Sequence, residues 1–366
     1  MEYFQGIILQ DRIREFFTRS LHNNRLAHAY LFYGGEGRGK EAFALTLAQA
    51  LNCQNTQTRP CGQCPNCQRI AHFNHPDVRF IFPASKNLKA EQLHAIIETK
   101  IKNPYAALSV PGSKNIPIDA IRELKDEARF GSVEGGYRVV IITGAEYMSR
   151  EAANSFLKLL EEPPERFLII LITETLHTIL DTIRSRCQPV YFPEFTDEQI
   201  EQIVARYDPV ERDIRPLIRM SGYNVKKVFR MLHADYMEQR EWVLQFLRSL
   251  IVENYFNLNQ LIEQIRGKNT QEYILELLSI LSTWFEDAFH LINGASSEQL
   301  INTDKSEPLA SFARSFPEFK MNEINQAIEN AANAIERNAH PVLTLFNLAI
   351  ELHGLLGHRK ELKEVT

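Results

Sequence analysis

The chain has 366 residues, 44% of them hydrophobic and 24% charged, an ordinary balance for a globular protein with core enough for two or three domains. Its formal net charge of -5 gives no global pull toward nucleic acid, so any DNA contact has to come from local basic patches or from partners. The first ten residues lack a basic region followed by an apolar one, and the longest apolar run, 167–172, is far too short to cross a bilayer, so neither a secretory leader nor a membrane span is expected.

Taken in order, 29–33 (Ala-Tyr-Leu-Phe-Tyr) is a short buried strand that enters a glycine loop, Gly-Gly-Glu-Gly-Arg-Gly-Lys, at 34–40. Residues 41–51 follow with helical apolar spacing through Phe43, Leu45, Leu47, Ala48 and Leu51. A second strand is expected at 78–82, closed by Pro83. Residues 85–115 interrupt the plan with a helical stretch at 90–101, then Pro104, Pro111 and Gly112; they read as an insertion, most simply a solvated variable loop. The next helix is expected at 118–129 and the third strand at 138–142. Ser149 is a good N-cap for a helix at 150–161 that Pro163-Pro164 stops. A strand at 167–173, a helix at 176–183 and a strand at 190–192, ended by Pro193, complete the alternation. Five strands alternating with helices imply a parallel, doubly wound sheet.

After Pro193 only helices are expected. Thr196 with Gln199 makes a capping box that opens a small helical unit at 197–234. Long amphipathic helices follow from Gln239, with segments at 273–292, 324–335 and 342–356. The expected organisation is an α/β domain over 1–192, a helical lid over 193–238 and an all-helical C-terminal domain over 239–366.

Three constellations carry chemistry. The first is the loop, whose Gly34, Gly39 and Lys40 have the spacing that lets backbone N–H groups and an ammonium face phosphate oxygens. The next residue should be a hydroxyl that binds magnesium, and it is Glu41. The third strand should end in metal-binding and water-activating carboxylates, and it ends in Thr143-Gly144, with Glu146 displaced beyond them. Two readings stay open here: a vestigial loop that only joins strand to helix, or a loop that still binds ATP or ADP weakly through Lys40. The second constellation is Cys53, Cys61, Cys64 and Cys67, spaced for a closed four-thiolate zinc site of structural type, with a redox pair or an iron–sulfur cluster as alternatives. His72 and His75 read as surface or packing residues. Five cysteines, four clustered and one alone, fit a reducing cytoplasm better than a disulfide framework. The third is Ser185-Arg186-Cys187, placed after the fourth strand and its helix, where an arginine can protrude toward a phosphate held by a neighbouring subunit.

These residues, together with Leu26–Phe32 (Leu-Ala-His-Ala-Tyr-Leu-Phe), His75-Pro76-Asp77, Ala152–Lys158 and Leu160-Glu161-Glu162-Pro163, resemble the bacterial DNA polymerase III clamp-loader subunits, a family of AAA+ proteins, over about residues 5–232. The resemblance implies an AAA+ P-loop domain with a zinc insert, a lid and a C-terminal collar. It implies a five-subunit ring in which gamma or tau hydrolyses ATP, delta opens the sliding clamp at primed DNA, and delta-prime hydrolyses nothing but lends its Ser-Arg-Cys arginine, here Arg186, to an adjacent ATP site. Glu41, Thr143 and Gly144 select the delta-prime branch, as does the lack of tau's long C-terminal extension. In the same comparison Thr173 fits a polar sensor and Lys226 stands where gamma has an arginine. Two other functions are weighed: an autonomous ATPase using Glu146 as a displaced acid and Glu41 as a magnesium ligand, and a zinc-dependent nucleic-acid-binding module flanked by Arg59 and Arg69.

Overall fold

The computed structural model describes all residues except 85–88, 109–114, 212, 233, 266–270 and 357–366. The chain divides into two compact units, one of Met1–Arg212 with Tyr223–Phe229, the other of Asp213–Gly222 with Arg230–Thr366. The dividing positions fall inside the segment expected to form a lid.

The first unit opens with β1 (Glu2–Tyr3) and α1 (Asp11–His22), then β2 (Ala29–Tyr33) and α2 (Lys40–Asn52). A knuckle follows, made of β3 (Thr58–Arg59), parallel to β1, and α3 (Pro65–Ala71). Next come β4 (Val78–Ile81), α4 (Ala90–Lys102), α5 (Ile118–Ala128), β5 (Arg138–Thr143), α6 (Arg150–Glu161), β6 (Phe167–Ile172), α7 (Asp181–Arg184), β7 (Gln188–Tyr191) and α8 (Asp197–Tyr207). The sheet has five strands in the order β4-β5-β6-β2-β7, and every pairing is parallel. Helices cover both faces, so β5 and β6 are buried along their whole length and read as unbroken apolar runs rather than alternating ones. In β2 the period of two still shows: Tyr30 and Phe32 join Phe17, Phe43 and Phe192 on one face, while Ala29 and Leu31 join Ile121, Phe156 and Ile183 on the other. Ser149 caps α6, its hydroxyl accepting from the Ala152 N–H at 3.1 Å, and the helix turns Ala152, Phe156 and Leu160 inward.

The expected helix at 176–183 is corrected. The chain makes one 3-10 turn at Leu176–Thr178, runs extended through Ile179, and forms only the four-residue α7. Thr178 Oγ1 donates to the Thr175 carbonyl at 2.7 Å and contacts Thr173 Oγ1 at 3.3 Å, side-chain bonds that compete with helix propagation. The last strand begins two residues earlier than expected, because Pro189 sits on the sheet's edge, where a missing N–H costs nothing. The reading of 85–115 as a solvated loop is also corrected. Its described part contains α4, whose Ile96 and Lys100 are buried. The rest of that segment, 85–88 and 109–114, lies outside the described residues.

Asp77 shows what the His75-Pro76-Asp77 motif does locally. Its carboxylate is fully buried and accepts from the Val133 N–H (2.7 Å), the Glu134 N–H (3.0 Å) and the Ser132 hydroxyl (2.9 Å), tying the turn before β5 to the start of β4. Burial alone would raise its pKa, but these donors and His75 hold it below the ordinary carboxylate value. A carboxylate shifted downward stabilises the fold above the ordinary carboxylate range and loses that contribution as pH falls. Asp77→Ala leaves three donors without their acceptor and is expected to cost roughly 2–4 kcal/mol, read as a lower urea midpoint at unchanged slope. An unchanged midpoint would refute this role.

In the second unit, α9 (Arg215–Met220) precedes the boundary and α10 (Val225–Leu232) crosses it. Among the described residues six further helices follow: α11 (Ala234–Ile251), α12 (Tyr255–Gln264), α13 (Gln271–Ile292), α14 (Ser306–Ser315), α15 (Met321–Glu336) and α16 (Pro341–Leu356). Of these, α12 and α14 were not expected from periodicity. They are short, and α14 follows a loop fixed by polar groups rather than by an apolar stripe. There the buried Asp287 accepts from the N–H groups of Ile301 and Asn302, and Arg240 forks onto Asp304 at 3.0 Å with both nitrogens. No helix among the described residues is long and apolar enough to cross a membrane.

Candidate functional site

The glycine loop joins the C-terminal end of β2 to the N-terminus of α2, the end of a parallel sheet at which ligands bind. Gly39 has φ 74°, and a Cβ there would lie 2.7 Å from the Phe195 ring; Gly34 has φ 136°, and a Cβ would meet the Phe192 carbonyl at 2.5 Å. Both glycines are therefore required by backbone conformation and by space. Lys40 is buried, and its Nζ donates back to the carbonyls of Gly34 and of Gly35, the latter at 2.7 Å. Burial and the neighbouring Lys226 charge push its pKa down to about 8.

Glu41 is the centre of the site. One carboxylate oxygen accepts from the Thr143 hydroxyl at 2.8 Å and from Lys226 Nζ at 3.3 Å. The other is ion-paired to Lys100 Nζ, which also donates to the Pro104 carbonyl at 3.0 Å. Glu41 is 7% exposed and Lys100 2%. Burial alone would raise the Glu41 pKa, but the two ammonium charges and the hydrogen bonds hold it far below the usual carboxylate range. Burial pushes Lys100 down to about 8 against the pull of Glu41, so the pair is ionised at neutral pH. For Lys226, burial acts downward, and Glu41 and Glu36 more than offset it and raise the pKa.

Lys40, Glu41, Thr143, Thr173 and Lys226 line one cavity of about 110 Å³, together with Glu36, Glu146 and Glu174. That is well below the ~300 Å³ at which ligand pockets begin. Thr173 Oγ1 is turned toward its own turn, bonding the Thr175 carbonyl at 3.1 Å. Glu146 lines the cavity as well, and one of its carboxylate oxygens is buried without a hydrogen-bond partner among the described residues.

The four cysteines come together at the other end of α2, about 20 Å along the helix from the loop. Cys53 caps α2, Cys64 caps α3, and Cys67 lies inside α3. The four Sγ atoms lie within 4.8 Å of one another, with Cys53 and Cys64 at 4.0 Å. Backbone N–H groups of Asn55 and Cys61 point at Cys53 Sγ at 3.4 Å, and that of Cys64 at Cys61 Sγ at 3.3 Å; such backbone donors act toward the thiolate and lower the Cys61 pKa, while burial raises those of Cys53 and Cys67. Tetrahedral Zn–S bonds of about 2.3 Å place sulfurs a little under 4 Å apart, so the donor set fits a closed zinc site. Among the described residues no histidine joins the group: His75 is buried beside Glu134, and His72 Nδ1 faces the Gln68 carbonyl.

Arg186 follows α7 and lines neither the cavity nor the cysteine cluster. Its guanidinium is partly exposed, pairs with Glu161 Oε1 at 2.6 Å and donates to the Thr182 carbonyl at 2.8 Å. Two residues of these sites carried no assigned role in the sequence reading. Glu161 stands in the Leu-Glu-Glu-Pro motif as the partner of Arg186. Lys100 leaves a faint signal, a lysine one turn beyond Ile96 on the apolar side of α4, and only the buried acid it faces gives it meaning.

A family model described as "DNA polymerase III, delta subunit" matches residues 9–196, and one for the C-terminal part of that subunit matches 234–353. The chain belongs to the DNA polymerase III delta-subunit family. It is 30% identical to "DNA polymerase III subunit delta'" of Bacillus subtilis over 75% of this chain and 76% of the relative. With the delta' subunit of Haemophilus influenzae it shares 24% identity over 92% of this chain and 91% of the relative. The Bacillus subtilis tau subunit is 32% identical over 54% of this chain, which spans 30% of tau's length. Among solved structures, a gamma-subunit-related protein from Thermotoga maritima aligns with 94% of this chain and 99% of its own at 17% identity and a TM-score of 0.41.

Proposed function

We propose that this family member is a non-hydrolysing, delta-prime-like component of the DNA polymerase III clamp loader, acting by assembly and by serving a neighbour's ATP site. The observation that carries the reading is Glu41. The position that should hold magnesium through a hydroxyl holds a carboxylate already engaged by Lys100, Lys226 and Thr143. The strand end offers Thr143 and Gly144 where carboxylates would place metal and water. Gly34, Gly39, Lys40, Thr173 and Lys226 are then remnants of a nucleotide site, and the occupancy of that site by ATP or ADP is a matter for titration. The rival reading as an autonomous ATPase gains only Glu146, which lines the cavity; the Glu41 it needs as a metal ligand is engaged elsewhere.

Arg186 is the finger in this reading. It touches none of the cavity residues of its own chain, and its planar fork suits phosphate oxygens. Cys53, Cys61, Cys64 and Cys67 hold a structural zinc that organises the knuckle. The 193–238 segment serves as lid and 239–366 as collar, joining gamma or tau and delta in a cytoplasmic ring that carries the sliding clamp to primed DNA.

Two measurements test this. Co-expressed with gamma or tau and delta, the chain is expected to purify in one stable complex; failure to associate removes the assignment. Alone, it is expected to hydrolyse ATP far below typical enzyme turnover of ~1–10³ s⁻¹. Turnover in that range, abolished by Lys40→Ala, would favour the autonomous ATPase.

A further inference from the structure

The residues expected to contact magnesium and phosphate form a closed charge cluster whose fourth member comes from elsewhere in the chain. Position 41 is where such loops carry the metal-binding hydroxyl, and position 143, at the end of β5 one strand removed from β2, is where the metal-binding acid is expected. Here the two side chains bond each other at 2.8 Å. The charge left over on Glu41 is met by Lys226 at 3.3 Å and by Lys100, a lysine that is 2% exposed and anchored to the Pro104 carbonyl at the end of α4. A buried ion pair of this kind persists only when its geometry is good and its remaining hydrogen bonds are met.

We propose that Lys100, carried in by the inserted helix α4, is a built-in counter-ion at the metal end of the phosphate loop, and that it excludes magnesium nucleotide from this site. A divalent cation placed beside Glu41 and Thr143 meets an ammonium group already bonded there. The carboxylates of Glu36, Glu146 and Glu174 border the small cleft and oppose a triphosphate or diphosphate there. The inserted segment thereby has a function: it completes a loop whose sequence has changed from hydroxyl to carboxylate. Replacing Glu41 alone leaves the Lys100 ammonium buried without its carboxylate, whereas replacing Lys100 alone leaves Glu41 with Lys226 and Thr143. The inference rests on the reading of residues 34–41 as a degenerate phosphate loop.

The test uses the full chain in four forms: wild type, Glu41→Thr, Lys100→Met, and Glu41→Thr with Lys100→Met. Each is titrated calorimetrically with ADP, with magnesium and with a chelator. The double variant is expected to bind magnesium ADP at least about tenfold more tightly than Glu41→Thr alone, a difference of about 1.4 kcal/mol. It should remain without ATP turnover, because Thr143 and Gly144 are unchanged. If Glu41→Thr alone binds as tightly as the double variant, or if neither gains, Lys100 is not the excluding group. A second measurement needs no variant. Under reductive methylation of the wild-type chain, Lys100 should stay protected while Lys102, whose side chain is 73% exposed, reacts. Equal rates at the two lysines overturn the proposal whatever the variants do. ATP turnover by the wild-type chain would instead overturn the non-hydrolysing reading, which keeps the two failures apart.

Discussion

Rings carrying Arg186→Ala are expected to load clamps poorly and to lose DNA- and clamp-stimulated ATP hydrolysis, while the chain keeps its fold, its zinc and its place in the complex. An arginine finger is worth ~10³–10⁵ in rate at the site it serves, because it places permanent charge on oxygens that become more negative in the transition state. Steady-state turnover of the whole ring falls by less than that if other ATP sites keep their own arginines. Single-turnover measurement therefore separates the affected site from the rest. The resting geometry makes the transfer cheap. Arg186 pairs with Glu161 at 2.6 Å, but the two side chains are 36% and 49% exposed, and ion pairs in that environment are worth ~0–1 kcal/mol. Exchanging Glu161 for a phosphate thus costs little, and Glu161→Gln is expected to leave loading close to wild type. Arg186→Lys is expected to rescue weakly, since an ammonium supplies charge without the planar fork. Unchanged hydrolysis in the Arg186→Ala ring would leave this subunit a structural spacer.

What was legible in the sequence follows from which forces act locally. The inner strands β5 and β6 stood out because a strand buried on both faces has to be apolar throughout, as Phe167–Ile172 and most of Arg138–Thr143 are, whereas the start of the edge strand β7, mostly exposed, was misplaced by two residues. The α6 boundaries were readable because a Ser cap and a Pro-Pro stop are chemical signals confined to a few residues. The turn around Thr175–Thr178 was not, since it depends on hydroxyl bonds that compete with an equally good helical pattern. The site divided in the same way. Gly34, Gly39 and Lys40 sit close together in sequence, and so do the four cysteines, in spacings that suit a phosphate and a metal ion respectively. Lys100 lies 59 positions from Glu41, in a segment with none of the marks of a phosphate site. A lysine on a short amphipathic helix is ordinarily solvated; only the tertiary fold brings it to a buried acid. Asp77 shows the opposite case, a motif residue recognisable in sequence whose work proves to be holding the turn at Ser132–Glu134.

Removing zinc is expected to unfold the knuckle and loosen the chain's start while the sheet survives. The cysteines are anchored at two helix ends: Cys53 closes α2, and Cys67 is fully buried in α3. Between them lies a short irregular stretch that has only one two-residue strand, β3, paired with β1. Side-chain bonds clamp this region to α2, Gln49 donating to the Cys67 carbonyl at 2.8 Å and Asn66 to the Asn52 carbonyl at 2.9 Å. Four thiolates brought within 4.8 Å repel one another once deprotonated, so without a cation they must reprotonate or separate. The knuckle contributes Ile70 to the main core, whereas Phe43, Phe32 and the β5–β6 pair are held by the sheet and its helices. The expected result of stripping the metal with a strong chelator is therefore regional. Amide protection should be lost across residues 53–72 and at Glu2 and Phe4, whose N–H groups bond to Gln57 and Arg59, and kept in β2, β5 and β6. A loss of about 3 kcal/mol would lower the melting point of a unit this size by roughly 6–12 °C. Cys67→Ser should cost more than Cys61→Ser, because it also puts a hydroxyl into a fully buried place, whereas Cys61 is partly exposed. Metal release should run from neutral toward acid pH as protons compete for the thiolates. A folded, reduced chain that contains no zinc after purification without chelators, or that loses zinc with no change in protection at 53–72, would show that the four thiols do not form the site assigned to them.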